Sequence, residues 1–340
     1  VTVAETLEDA LNAVGFIFAT GNKSVVIEEL LEGEEVSFFA ICDGNIAIPI
    51  GSAQDHKRVG EGETGPNTGG MGAYSPTSIV DANLTVRIMK EIINPTMEGM
   101  KQRDIPFKGI LYAGLMLTKT GPKLIEYNVR FGDPEAQVIL PRLQDDLLVL
   151  MLAAAQGDLP EKVLSFSKKT ALSVVLAANN YPATPVTGTV IEGIDRALAV
   201  KDVVITHAGT QMQKGNVIAF GGRVLNVTAL GNTIEEAQKS AYSAVDKIKW
   251  KEGFYRKDIG WREISRNKPE VEDKPKVEKK PKVEVLAIEE VSATDAALIE
   301  KVEVPKKKPK VEKVDSQESK PVSGQKRANS KTPKSVKGSS

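Results

Sequence analysis

The chain has 340 residues, and its 45 Lys+Arg balance its 45 Asp+Glu. This balance hides a division, because residues 266–340 hold 19 basic and 13 acidic residues whereas residues 1–265 hold 26 and 32. The single cysteine excludes an intrachain disulfide and a cysteine-rich metal site, and no apolar run reaches the ~18–20 residues of a membrane-spanning helix. We therefore expect a cytoplasmic protein without a membrane segment.

The first 50 residues carry signals for one helix and three strands. Apolar side chains recur at helical spacing over residues 6–19. A short β-branched segment at 24–27 predicts a strand. Residues 36–42 and 46–50 predict a hairpin, because the Asp-Gly-Asn sequence between them favours a tight turn.

A glycine-rich segment follows at residues 51–76. Helices and strands rarely keep so many glycines, so we predict a long functional loop. The segment lacks both the Gly-Lys-Ser/Thr ending of a Walker loop and the setting of a dinucleotide fold. Its backbone N–H groups could form an anion-binding nest beside Lys57 and Arg58. A mobile surface loop would explain the glycines equally well.

The remaining elements mix helical and strand patterns. Residues 82–102 have helical spacing, with a break predicted at Pro95. Further strands are predicted at 109–117, 123–129, 171–178, 203–206, 217–220 and 223–229, and further helices at 145–156 and 233–248. This mixture predicts an α/β (α+β) protein.

The composition changes after residue 265. The sequence Lys-Pro-Lys-Val-Glu recurs at 274–278, 280–284 and 308–312. Alternating charges with proline and almost no aromatic residues cannot bury a core, so we predict disorder over 266–340. The apolar segments 285–288 and 296–299 are candidate docking segments. Binding of nucleic acid by this basic tail is disfavoured by its interspersed glutamates and its lack of stacking side chains.

Residues 123–135 carry the clearest signal for metal chemistry. The first half alternates like a strand, which places Leu124, Glu126 and Asn128 on one face. A carboxylate and an amide oxygen two residues apart suit Mg²⁺, which completes its shell with water and phosphate oxygens. An edge strand with a solvated face would show the same pattern.

Two further clusters of polar residues are informative because of their order along the chain. The acidic run 28–35 lies before the hairpin and would be a solvated turn if taken alone. Asp55 and His56 could form a general acid/base pair, although a lone histidine is more often a structural hydrogen-bonding group. An acidic hinge, a phosphate-binding loop and a strand with Glu126 and Asn128 together indicate an ATP·Mg²⁺ site.

Three motifs make the chain resemble a known family. Residues 54–58 (QDHKR), 64–76 (TGPNTGGMGAYSP) and 126–135 (EYNVRFGDPE) are similar to the glycinamide ribonucleotide synthetase family of the ATP-grasp superfamily. The resemblance covers about residues 1–264. It implies a partial ATP-grasp domain at 1–160 and a small αβ C-terminal domain at 161–265, with the predicted tail at 266–340 having no counterpart.

The resemblance also implies a reaction. ATP, glycine and 5-phosphoribosylamine would give glycinamide ribonucleotide, ADP and phosphate in purine biosynthesis. The glycine carboxylate would attack the γ-phosphate, and the amine would then displace phosphate from glycyl phosphate. The implied cofactors are ATP and Mg²⁺ or Mn²⁺, the partners are these small molecules, and we expect a monomer.

Site residues are implied in the same way. Glu28, Glu29 and Leu31 would line the adenine hinge, and Glu35 would hold the ribose. Glu126 and Asn128 would ligate the metal, and Arg130 would stabilise the transferring phosphoryl group. The remaining implied residues would close over nucleotide and substrates and exclude water; they are Asp55, His56, Lys57, Asn67, Thr68, Gly69 and Gly70.

The chain departs from the family pattern at its beginning. Residues 1–3 resemble the point just after the family's phosphate lid, so the N-terminal Rossmann-like domain and the first ATP-grasp strands would be missing. We expect the chain alone to be nearly inactive for this reason. Two alternatives remain open: a different ATP-grasp carboxylate–amine ligase, and a non-catalytic binding protein with a partner-binding basic tail.

Overall fold

A computed structural model describes residues 2–267, most of which belong to regular elements. The strands are β1 Glu34–Asp43, β2 Ala47–Asp55, β3 Arg58–Gly60, β4 Thr64–Asn67, β5 Gly72–Ser75, β6 Lys108–Thr118, β7 Gly121–Asn128, β8 Thr170–Ala178, β9 Val203–His207, β10 Thr210–Gln213, β11 Asn216–Ala219, β12 Arg223–Gly231 and β13 Gly253–Phe254. The helices are α1 Leu7–Ala19, α2 Ala82–Ile88, α3 Asn94–Gln102, α4 Ala136–Ile139, α5 Leu147–Gln156, α6 Ile194–Leu198, α7 Ile234–Val245 and α8 Trp261–Asn267. The predicted disorder and docking segments of the tail lie outside the described residues.

One large antiparallel sheet organises these elements. Its strand order is β7-β6-β1-β2-β5-β8-β12-β9, with β13 added beside β8. Two separate ribbons, β3–β4 and β10–β11, complete the strand pairing. The predicted mixed α/β architecture is confirmed.

Helices cover both faces of the first half of the sheet. Phe39 packs on one face with Ile139 of α4 and Leu150 of α5. Its neighbour Phe38 points to the opposite face and packs with Ile88 of α2. This alternation follows from the two-residue period of a strand, so β1 is buried on both sides.

Local capping signals explain where several helices begin and end. The Asp146 carboxylate accepts hydrogen bonds from the first backbone N–H groups of α5, and Gly157 ends that helix in the left-handed conformation. The helical prediction for 82–102 is confirmed, but the irregularity lies before Pro95, where a π-helical turn, Met89–Ile93, joins α2 to α3. Pro95 lies in the first turn of α3, where a missing N–H is tolerated. No helix within residues 2–267 is both long and apolar enough to cross a membrane.

Two predictions about local structure are wrong. Residues 24–27 form no strand, although they are β-branched, because no neighbouring strand pairs with them within residues 2–267. The glycine-rich segment 51–76 is not one long loop, since it contains the end of β2 and all of β3, β4 and β5. A glycine is needed in β5: a β-carbon at Gly72 would lie 2.6 Å from the Ser173 carbonyl oxygen on β8.

The sheet continues across the predicted domain boundary at residue 160. Strand β5 pairs with β8 through the register Gly72↔Val174 to Ser75↔Ala171. A separate hydrophobic core surrounds β8, β12 and α7. The division into domains at 160 and 265 stays a prediction.

A buried ion cluster attaches the β3–β4 ribbon to the C-terminal part of this sheet. Glu63, at the tip of the ribbon, accepts a hydrogen bond of 2.8 Å from the buried Arg256 guanidinium and lies 3.2 Å from Arg262. Arg256 also pairs with Asp258 at 2.7 Å and donates to the Arg58 carbonyl oxygen at 3.0 Å. Burial acts to raise the pKa of Glu63, but hydrogen bonds from His56 and Arg256 outweigh it and lower that pKa.

We predict that Arg256→Met lowers the free energy of unfolding by about 3 kcal/mol, because it leaves the partly buried Glu63 and Asp258 without their buried partner. Chemical denaturation of the purified chain measures this change. Arg103→Met is the matched control, since Arg103 is exposed at the end of α3, and it should change stability by less than about 0.5 kcal/mol. Equal effects of the two substitutions would contradict the structural role of Arg256.

Candidate active site

A cleft of about 550 Å³ opens where β1 begins and β2 ends. Four of the sequence-predicted site residues line it, together with residues of the C-terminal region. The lining includes Glu35, Asp55, Lys57, Asn67, Arg262 and Arg266. The structure thus brings together Glu35 and Arg266, which are 231 positions apart in sequence.

Strand pairing places the predicted metal ligands on one face of the sheet. Asn128 is opposite Tyr112, Glu126 is opposite Gly114, and Gly114 is in turn opposite Ser37. Paired residues of an antiparallel sheet share a face. A β-carbon at Gly114 would lie 3.4 Å from the Glu126 side chain, so the glycine leaves room for this carboxylate.

The alternation predicted for β7 is wrong at one position. The pairing of β6 with β7 shifts between Gly114 and Leu115, which inserts one extra residue, Ile125, into β7. Leu124 therefore pairs with Leu115, whose side chain packs in the core on the other face of the sheet. Glu126 does not share a face with Leu124.

The two predicted metal ligands contact each other and do not belong to the lining of the cleft. Asn128 donates to Glu126 Oε1 at 3.2 Å, and Arg130 donates to Asn128 Oδ1 at 3.3 Å. Residues 2–267 contain no cluster of three or more His, Cys, Asp or Glu that could hold a metal. Two protein oxygens suit Mg²⁺ when phosphate oxygens and water supply the remaining ligands.

A buried carboxylate that the sequence analysis missed lies on the same face. Glu135 is 3% exposed and accepts hydrogen bonds from Ser37 Oγ at 3.0 Å and from the Tyr112 hydroxyl at 2.9 Å. Burial raises the pKa of Tyr112 far above its usual value, and the Glu135 charge adds to this effect. Glu135 belongs to the same motif as Glu126, but its burial depends on β1 and β6, which are distant in sequence.

Charges beside the cleft act on Asp55. Burial raises the pKa of the Asp55 carboxyl to about 6; the neighbouring Lys57 works against this shift, and Glu135 and Glu35 add to it. Lys57 forms an ion pair with Glu35. Although burial opposes it, the pKa of Lys57 rises above its usual range because Asp55 and Glu35 lie beside it.

His56 is fully buried and both of its ring nitrogens have protein partners. Nδ1 lies 3.0 Å from Glu63 Oε1, and Nε2 accepts the Gly260 N–H at 2.9 Å. Since Nε2 accepts, Nδ1 carries the proton that is donated to Glu63. Burial lowers the pKa of His56. In this arrangement neither nitrogen is available to a substrate.

The predicted phosphate loop is held by side chains. The Gly69 N–H donates to the Tyr181 hydroxyl at 2.9 Å, and the Gly70 N–H donates to Thr68 Oγ1 at 3.0 Å. Thr68 in turn donates to the Lys57 carbonyl oxygen through its N–H at 2.7 Å and its hydroxyl at 2.8 Å. These contacts order the loop and engage the amides that the sequence analysis assigned to an anion.

The predicted adenine hinge lies outside the lining of the cleft. Glu28, Glu29 and Leu31 belong to an irregular segment before β1. Glu29 pairs with Lys123 of β7 at 3.0 Å, which ties this segment to the edge of the sheet. Glu35, which was predicted to hold the ribose, borders the cleft.

Two family models match the chain in succession. The phosphoribosylglycinamide synthetase ATP-grasp (A) domain matches residues 1–136. The C domain of the same synthetase matches residues 171–262. Together they cover both halves of the sheet, on either side of the β5–β8 contact.

Named relatives agree with these models. The chain is 53% identical over 272 residues to the phosphoribosylamine–glycine ligase of Brucella melitensis, a match that covers 79% of this chain and 64% of the relative. It is 51% identical over 277 residues to the chloroplastic enzyme of that name from Arabidopsis thaliana, covering 79% of this chain and 52% of the relative. The chain thus spans less than two thirds of the length of these relatives.

A solved structure shows the same fold. The phosphoribosylamine–glycine ligase of Thermotoga maritima superimposes with a TM-score of 0.62 at 33% identity, covering 68% of this chain and 57% of that one. The sheet order, the two successive family models and these relatives lead to one conclusion. The chain belongs to the phosphoribosylglycinamide synthetase family of ATP-grasp proteins.

Proposed function

We propose that the protein carrying this chain joins glycine to 5-phosphoribosylamine at the expense of ATP, through glycyl phosphate. The observation that carries this proposal is the Glu126–Asn128 pair, with Arg130 beside it, on the sheet face that also bears Glu35 and Asp55 of the cleft. Family membership supplies the substrate class. The products are glycinamide ribonucleotide, ADP and phosphate.

In this proposal the metal binds together with the phosphates of the nucleotide. Glu126 and Asn128 would hold Mg²⁺ or Mn²⁺ through one oxygen each, and the exposed position of Glu126 leaves its carboxylate free to take part. When bound, the metal neutralises charge on the phosphate oxygens. Arg130 lies beside Asn128 and would stabilise the charge that develops on the phosphoryl group and on the acyl phosphate.

Asp55 and Lys57 are suited to the transfer of glycyl to the amine. Asp55, with its raised pKa, could accept the proton that the attacking amine loses. Lys57 would orient anionic groups, since its charge is secured by neighbouring carboxylates. We assign His56 the part of a support for these two neighbours, because its own nitrogens are engaged.

The other assignments follow the family resemblance. Glu28, Glu29 and Leu31 would border adenine and Glu35 the ribose. Asn67 to Gly70 would close the cleft, with the loop contacts rearranging when nucleotide binds. We propose a cytoplasmic monomer that acts on small molecules and not on nucleic acid.

We predict that ADP release requires ATP, glycine and freshly prepared 5-phosphoribosylamine together. The assay is run on the chain alone and on the chain combined with the part of the Brucella melitensis relative that the 64% alignment leaves uncovered. Acetate in place of glycine, and ammonia in place of the sugar amine, are the controls. ADP release that proceeds equally with either replacement would identify a different ATP-grasp ligase.

Glu126→Gln should weaken Mg²⁺-dependent binding of ADP by about 10- to 100-fold, because a charged ligand oxygen is replaced by a neutral one. Isothermal titration with and without Mg²⁺ measures the change. Glu161→Gln, an exposed site away from the cleft, is the control and should leave binding unchanged. Equal affinities for Glu126→Gln and the unaltered protein would rule out the metal assignment.

Asp55 should make stability depend on pH. In the unfolded chain an aspartate titrates near about 3.9, so between pH 4 and 6 the folded state holds a proton that the unfolded state has lost. The stability that this proton contributes is lost as the pH rises through 6. We therefore expect the free energy of unfolding of Asp55→Asn, measured relative to that of the unaltered protein, to increase when the pH is raised from 4.5 to 7.5. The increase should be on the order of 1–3 kcal/mol.

Urea unfolding of both proteins at pH 4.5 and 7.5 tests this expectation. The control is Asp195→Asn on α6, an exposed aspartate, which should show the same pH dependence as the unaltered protein. A difference between Asp55→Asn and the unaltered protein that stays constant with pH would contradict the raised pKa.

A further inference from the structure

Arg223, the first residue of β12, reaches two segments of the site that are distant from it in sequence. Its Nη1 donates to the Gly69 carbonyl oxygen at 2.7 Å and also to the Asp133 carbonyl oxygen. Its Nη2 lies 3.2 Å from Asp133 Oδ2. One guanidinium therefore joins the glycine loop to the turn that follows the metal-binding strand.

The glycine loop is shaped to admit this arginine. A β-carbon at Gly69 would lie 2.9 Å from the guanidinium carbon of Arg223. A β-carbon at Gly70 would lie 2.6 Å from the ring of Pro134, the residue after Asp133. Gly70 is needed here, because its φ of 109° and the Pro134 ring both exclude a side chain. A side chain at position 69 would displace the Arg223 guanidinium from the loop.

Each end of the connection leads to a residue of the proposed mechanism. On one side, Gly69 follows Thr68, whose N–H and hydroxyl hold the Lys57 carbonyl oxygen. On the other side, Asp133 lies three residues after Arg130, in the same turn. The side chain of Arg223 is 21% exposed and fully committed to these backbone and carboxylate oxygens.

We propose that Arg223 is a positioning residue that fixes the distance between the Lys57 segment and the Arg130–Asp133 turn. This inference rests on the proposed function, because it gives the distance between these two segments a role in catalysis. The two segments carry the groups that would handle the amine and the acyl phosphate, and a rigid arginine fork sets their spacing. Arg223 need not touch a substrate for this purpose.

The proposal predicts distinct effects on local order and on turnover. Arg223→Ala should speed amide exchange at Gly69 and Gly70 at least tenfold and should lower kcat at least tenfold, while the KM for ATP changes less than twofold. Arg223→Lys should recover part of the kcat, since one ammonium can bond one of the two segments. Arg196→Ala, an exposed arginine on α6, should change neither quantity.

Hydrogen exchange read by mass spectrometry on the full chain, and steady-state rates in the combined protein described above, supply the measurements. Unchanged exchange at the two glycines would overturn the connection itself, whether or not the ligase activity exists. Faster exchange with unchanged kcat, or a loss of kcat that Arg223→Lys does not relieve at all, would overturn the positioning role. Absence of ligase activity in the unaltered combined protein would overturn the proposed function and, with it, the catalytic purpose of Arg223.

Discussion

The pairing of β5 with β8 is the contact on which the rest of this structure depends. It is possible because Gly72 has no side chain to strike the backbone of β8 or the neighbouring Ile259. The pairing makes one sheet from two successive parts of the chain. It thereby brings the residues after β12 and α7 within reach of the ribbon and the loop that cover the cleft.

The charged groups around Glu63 and those around Asp55 differ in how fully neighbouring side chains compensate the burial of the carboxylate. Around Glu63, three cationic or hydrogen-bonding side chains satisfy one carboxylate, so burial is compensated and the ribbon is fixed. Around Asp55, acidic groups are more numerous than cations, so burial and repulsion are only partly offset. A carboxyl group whose pKa is raised in this way is typical of sites that transfer protons. The first group thus supports the framework, and the second is suited to chemistry.

The elements with local signals were predictable from sequence, and the contacts between distant segments were not. The hairpin of β1 and β2 and the helix α5 have clear turn and capping residues, and both are confirmed. The strands within 51–76 were missed because glycines, which normally weaken strands, are needed here for close approach. For the site, the motif containing Glu126 and Asn128 gave a prediction, whereas the parts played by Glu135 and Arg223 depend on long-range packing.

The extra residue in β7 has a consequence for how this site can change. Ile125 has no partner on β6, and its neighbours Leu124 and Glu126 are opposite the consecutive residues Leu115 and Gly114. A chain without Ile125 could keep both pairings in an unbroken strand, because successive residues of a strand face opposite sides of a sheet. The pairing with Gly114 therefore sets the direction of Glu126, and a one-residue gap before Glu126 in a related sequence would not indicate loss of this carboxylate.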